Sequence, residues 1–134
     1  MLNRFFCTSI GAIGSLGLAL FGKWDLQLSS LLIFIAIDFI TGLMVASIFK
    51  NSTKTLTGAL KSDVTWRGIV KKIITICLVA VAYRIDLLLN VDYVRNAVII
   101  GFSTNEILSI VENAGLMGVP IPEKLTDAID ILRK

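Results

Sequence analysis

The chain has 134 residues, of which 55% are apolar and only 17% charged, with a mean hydropathy of +0.82. Soluble domains carry about a quarter of their residues charged, and a small fold has too little core to hide such an apolar excess. This excludes an ordinary water-soluble domain and points to one all-α membrane domain over 1–134. The net charge of +3 is local rather than spread over a basic face with readers of bases, so nucleic acid is not an expected partner. The absence of histidine removes the commonest general base and transition-metal ligand.

The first apolar segment, 5–21, is uncharged and flanked by Arg4 and Lys23. It is long for the apolar stretch of a secretion signal and no A-x-A site follows it, so it is expected to stay as a span. Gly11, Ser15 and Ala19 recur every four residues along it. Such small-xxx-small spacing lets membrane helices approach closely, within one chain or between chains.

The second segment, 28–49, carries one charge, Asp38, near its middle, and Asp38, Gly42 and Ala46 repeat the four-residue spacing. A carboxylate at the bilayer midplane costs about 2.5–3.5 kcal/mol on insertion scales, so it does not face lipid. Two readings stay open: a group facing a water-filled cavity or partner, and a hydrogen-bonded acid that holds the bundle together.

A basic loop, 50–72, follows, with Lys50, Lys54, Lys61, Arg67, Lys71 and Lys72 against the single acid Asp63. The third segment, 73–91, is interrupted by Arg84 and Asp86, and the fourth, 97–113, turns polar towards its end. The excess of Lys and Arg puts the basic loop in the cytoplasm. Three or four spans are expected: with four, both termini are cytoplasmic as well, in keeping with Arg4, Lys124, Arg133 and Lys134, and with three the C-terminus is exported instead.

Along the helix axis Asp38 lies roughly 15 Å from the outer side and Arg84 about 10 Å from it, so an Asp38–Arg84 pair is predicted. Asp86, at about 7–8 Å, is too shallow to share a proton with Asp38 as an aspartyl-protease dyad does. Cys7 and Cys77 fall inside apolar stretches and read as packing residues.

On the fourth segment, Gly101, Asn105, Glu106, Ser109, Glu112 and Asn113 fall on one broad arc, opposite Ile99, Ile100, Ile107, Ile110 and Val111. Such a helix suits an aqueous lumen, a polar bundle interior or the interface better than a lone place in lipid. Gly115, Gly118, Pro120 and Pro122 then break it. In 121–134, Leu125, Ala128, Ile129 and Leu132 have the spacing of a short amphipathic helix, expected against the membrane face or a neighbouring subunit.

Four pieces of this sequence resemble one known family. Asp38-Phe39-Ile40-Thr41-Gly42 is similar to the D-[YF]-x-T-G element of the holins of phage lysis and toxin secretion. The stretch from Leu60 through Lys61, Arg67 and Gly68 to Lys71 and Lys72 resembles their basic loop. Asn105 to Gly115 resembles the E-x-x-S-x-x-E-N signature, and Gly118-Val119-Pro120-Ile121-Pro122 the G-x-P-[IV]-P that follows it. The resemblance covers about 28–132 in the expected order.

It implies a protein that accumulates in the bacterial cytoplasmic membrane and assembles with copies of itself into a lesion. Through that lesion an endolysin, or in some relatives a toxin, leaves the cytoplasm. A second start producing an inhibitor form is not supported, since the next methionine, Met44, lies inside the second segment. No phosphate-binding loop, metal-ligand spacing or Ser-His-Asp set is present, and neither an enzyme nor a cofactor is expected. The competing classes are a small ion or solute channel using Asp38, Arg84 and Glu106, and an antiholin that restrains the true pore former.

Overall fold

The computed structural model describes residues 1–133 and is built from helices: α1 (Leu2–Phe21), α2 (Leu26–Ser47), α3 (Ser62–Leu89), α4 (Val94–Leu116) and α5 (Glu123–Arg133). Of these, α1 and α2 are long and apolar enough to cross a membrane. Lys134, the last residue of the predicted terminal helix, lies outside the described residues.

Local chemistry marks the helix ends. Gly22 takes φ 83° and donates its N–H to Leu18 at 2.8 Å, closing α1. A Cβ there would stand 2.5 Å from the ring of Tyr83, so the position excludes a side chain on two counts. Asp25 then starts α2 by accepting the Leu28 N–H at 3.0 Å. Asn90, left-handed at φ 55°, ends α3, and Gly118 at φ 83° follows the end of α4, where Val119 donates back to Ala114.

The α1–α2 and α3–α4 turns meet at one end of the bundle, called here the short-turn end; the α2–α3 loop lies at the other. Both α2 and α3 pack chiefly on α4 and touch each other little, so a helix with a broad polar arc is the centre of the molecule. Near the short-turn end Leu28, Leu31, Val79 and Ile99 form a fully buried cluster, with Phe21, Ile35 and Phe102 around it. In lipid such a cluster is held by close packing rather than by exclusion of water.

The backbone of α1 approaches only α3. Its C-terminal end is seated, with Gly17 under the Trp24 indole, whereas Gly11 and Gly14 have open space before them. The amphipathic α5 folds back onto α4 and buries Ile129.

Two expectations need correction. The third helix begins at Ser62, not Ile73, so Arg67, Lys71 and Lys72 are helical rather than part of a basic loop. Apolarity marks where a helix suits lipid, whereas lysine and arginine are good helix formers and Asp63 favours a first turn. Cys7 and Cys77 are exposed rather than packed. In a chain suited to lipid, an apolar stretch does not imply burial inside the protein.

Candidate functional site

Halfway along the bundle, α2, α3 and α4 each contribute a charge to one cluster. Lys72 Nζ lies 2.5 Å from Asp38 Oδ2 and 3.0 Å from Glu106 Oε2. Asn113, one helical repeat beyond Glu106, donates its Nδ2 to Asp38 Oδ1 at 3.1 Å and to Thr41 Oγ1 at 2.9 Å. Asp38 and Asn113 are each only 6% exposed. Gly42 lies beside this contact, and a Cβ there would stand 3.7 Å from Asn113 Nδ2, an ordinary packing distance.

The α3 face explains why the partner is Lys72. Lys72, Val79 and Asp86 are spaced by seven and share one side of the helix, with Val79 and Asp86 buried there. Arg84 is about 120° from Lys72 around the axis and is exposed. The predicted Asp38–Arg84 pair is therefore not formed, because nearness in depth along the bundle does not bring Arg84 to the side of α3 that faces Asp38. A lysine counted as loop is the actual counter-ion. Placing one ammonium between two carboxylates compensates groups whose burial alone costs several kcal/mol each.

A cavity of about 90 Å³ reaches this cluster from the loop end, with Asp38, Lys72 and Asn113 at its floor and Val45, Leu60 and Val64 in its walls. That is room for several waters beside the charges. The loop that roofs it is tied down by Asn51, whose Nδ2 donates to the Leu116 carbonyl at 3.1 Å.

A second polar knot closes the short-turn end. The guanidinium of Arg95, 4% exposed, donates to the carbonyls of Phe21 at 2.6 Å and Lys23 at 2.9 Å. It also takes both oxygens of Asp25, at 3.0 and 3.2 Å. Asp86 accepts the backbone N–H groups of Val94 at 2.9 Å and Arg95 at 3.0 Å, capping α4 from the last turn of α3. The Arg95 hydrogen bonds hold the Asp25 carboxyl below its ordinary value of 3.8, aided by the Leu28 N–H and opposed by partial burial.

The structure pairs Arg95 with Asp25 and leaves Asp92, its near neighbour in the chain, exposed. The signal for Arg95 was its place: on the topology expected from the sequence, an arginine at the start of α4 lies on the side that disfavours positive charge and needs a reason to be there.

The broad polar arc of α4 divides in two. Glu106 and Asn113 turn inward to the cluster with Ser109 half-buried beside them, whereas Gly101, Asn105 and Glu112 face outward. Asp86 serves as a helix cap. Gly11, Ser15 and Ala19 are exposed, while Ala46 is buried. Lys61, Arg67 and Lys71 are exposed, as are Gly118, Pro120 and Pro122 in the α4–α5 turn. Among the described residues no group of acids or cysteines is placed to hold a metal ion.

The model of the bacteriophage holin family matches residues 16–134. A protein of Halalkalibacterium halodurans is 39% identical over 120 residues, covering 85% of this chain and 83% of its own length. One of Listeria monocytogenes is 40% identical over 111 residues, covering 82% of this chain and 74% of its own. A probable holin of Bacillus phage phi105 is 34% identical over 114 residues, covering 84% and 78%. No solved structure matches.

Proposed function

Since this chain belongs to the bacteriophage holin family, we propose that it acts as a holin. On this reading it accumulates in the bacterial cytoplasmic membrane and assembles with copies of itself into a lesion that releases an endolysin or a toxin. The four long helices span the bilayer, with the loop end, the N-terminus and the turn that leads into α5 in the cytoplasm. The distribution of positive charge supports that orientation: Lys23, Arg84 and Arg95 belong to the short-turn half, and Arg95 is already neutralised there by Asp25.

The observation that carries the reading is the unpartnered state of two helix faces. The Gly11–Ser15–Ala19 face of α1 and the Gly101–Asn105–Glu112 stripe of α4 are exposed among the described residues, although both are built for contact or water rather than for lipid. Further copies, and a lumen between them, satisfy both. Mass action makes such assembly steep in protein concentration, which suits an agent that accumulates and then acts. No catalytic step is needed.

Controlled expression in a bacterium that also makes a cytoplasmic endolysin tests this. The expected result is normal growth, then an abrupt loss of membrane potential and release of the endolysin. Steady growth with leakage of ions alone rejects it and favours a channel. The cavity that opens from the loop end to Lys72 is the feature that speaks for that second reading.

A further inference from the structure

The outward surface of the bundle is uneven. On α2 it consists of side chains such as Ile33, Ile37 and Ile40, and on α3 of Leu78, Val81 and Ile85, all exposed. On α4 it consists of Gly101, Asn105, Glu112 and Gly115; among the described residues Ile100 is the one large apolar side chain that this helix exposes.

The position of α5 adds to the contrast. Leu132 shares a groove of about 560 Å³ with Gly101, Asn105 and Leu108 of α4. Those residues lie about 10–21 Å along α4 from its start, so α5 runs back beside α4 at the depth of the apolar belt. Glu123, Asp127 and Asp130, spaced by four and three, share one face of α5 and are all exposed. Exposed carboxylates on a helix at this depth, like Asn105 and Glu112 on α4, are costly against hydrocarbon and unopposed against water.

We propose that the α4–α5 side of each copy, marked by Asn105, Glu112 and Asp127, lines the water-filled lumen of the assembled lesion, and that the α2–α3 side faces lipid. This rests on the holin reading and adds which surface is wet.

The test is thiol labelling of the full chain in cells. In a parent carrying Cys7→Ser and Cys77→Ser, single cysteines are placed by Asn105→Cys, Glu112→Cys and Asp127→Cys, and by Ile37→Cys and Leu78→Cys as lipid-side controls. A membrane-impermeant maleimide is added outside, before and after the membrane potential is lost. The expected result is labelling of the first three only after permeabilisation, and of the two controls at neither time. Permeabilisation with Asn105→Cys and Glu112→Cys unlabelled, or with Ile37→Cys and Leu78→Cys labelled equally, overturns the lumen assignment alone. A cysteine-free parent and a native chain that both fail to permeabilise overturn the holin reading, and the lumen with it.

Discussion

Asp86 accepts the backbone N–H of Arg95 at 3.0 Å, so the last turn of α3 fixes the residue whose guanidinium holds the α1–α2 turn. Through this pair the four long helices are fastened together at the short-turn end. Arg95→Ala leaves Asp25 and two carbonyls without their donor and is expected to cost about 3–5 kcal/mol, the range for breaking a buried pair from one side. Arg95→Lys recovers little of it, because an ammonium cannot supply the forked donors that reach Asp25 and two carbonyls together. Unfolding of the detergent-solubilised variants measures both; a lysine variant as stable as the native chain contradicts the role given to the fork.

At the central cluster, Lys72→Met leaves Asp38 and Glu106 facing one another with no cation between them. The expected loss is again about 3–5 kcal/mol, seen as reduced accumulation in the membrane and easier unfolding. Adding Asp38→Asn and Glu106→Gln to Lys72→Met removes the whole charge set and restores much of the loss, a coupling read by a mutant cycle in which the two carboxylate changes are taken together as one arm. Arg84→Gln, at an exposed position, changes stability by no more than about 0.5 kcal/mol. Equal damage from Arg84→Gln and Lys72→Met reinstates arginine as the counter-ion.

Two glycines of α1 separate folding from assembly. Gly17→Leu collides with the Trp24 indole, whose nearest atom is 2.9 Å from where a Cβ would stand, and displaces the α1–α2 turn. Gly11→Leu meets open space within the chain, so it leaves the monomer intact while widening the gap between copies on the small-residue face. Unfolding should detect the first substitution, and crosslinking in membranes the second. A Gly11→Leu chain that crosslinks and lyses like the native one removes this face from the assembly.

Acid acts on the Asp25–Arg95 pair in a known direction. Because the folded Asp25 carboxyl is held below 3.8, its contribution to stability is complete above that value and is lost as pH falls through the lowered one. The fluorescence of Trp24, read in a Trp66→Phe background, should therefore stay constant down to about pH 4 and change only below it. Asp25→Asn abolishes this acid transition. A transition near neutrality that survives Asp25→Asn assigns the change to another group.

The sequence was most legible where one residue type or one period decides the matter. Apolar stretches located α1 and α2, and the glycines and prolines after Gly115 coincide with the break between α4 and α5. Asp38 was recognisable as a group needing a partner because lipid tolerates it poorly. Its partner was hidden, since Lys72 stands in a basic stretch that hydropathy separates from the span, although α3 runs through both. Direction around an axis also depends on which neighbours a helix meets. The α4 arc looked uniform until α2 and α3, packing on α4 from two sides, divided it into an inner and an outer set. Arg95 was missed because its acceptors combine the main-chain carbonyls of Phe21 and Lys23, which no residue pattern announces, with Asp25, 70 residues away in the chain.

The central place of α4 bears on how the protein is made. The acceptors of Arg95 on Phe21, Lys23 and Asp25, and the Asp86 carboxylate that receives its N–H, all precede it in the chain. Asp38 and Lys72 likewise precede Glu106 and Asn113. During synthesis α4 is thus the last of the four long helices to arrive, and it enters among groups already waiting for it. A chain cut short before Val94 has the first three helices but lacks the surface on which two of them pack, and its carboxylates stand open. A truncated copy therefore carries unpartnered carboxylates that hydrocarbon tolerates poorly, and the bundle closes only once the fourth helix is in place.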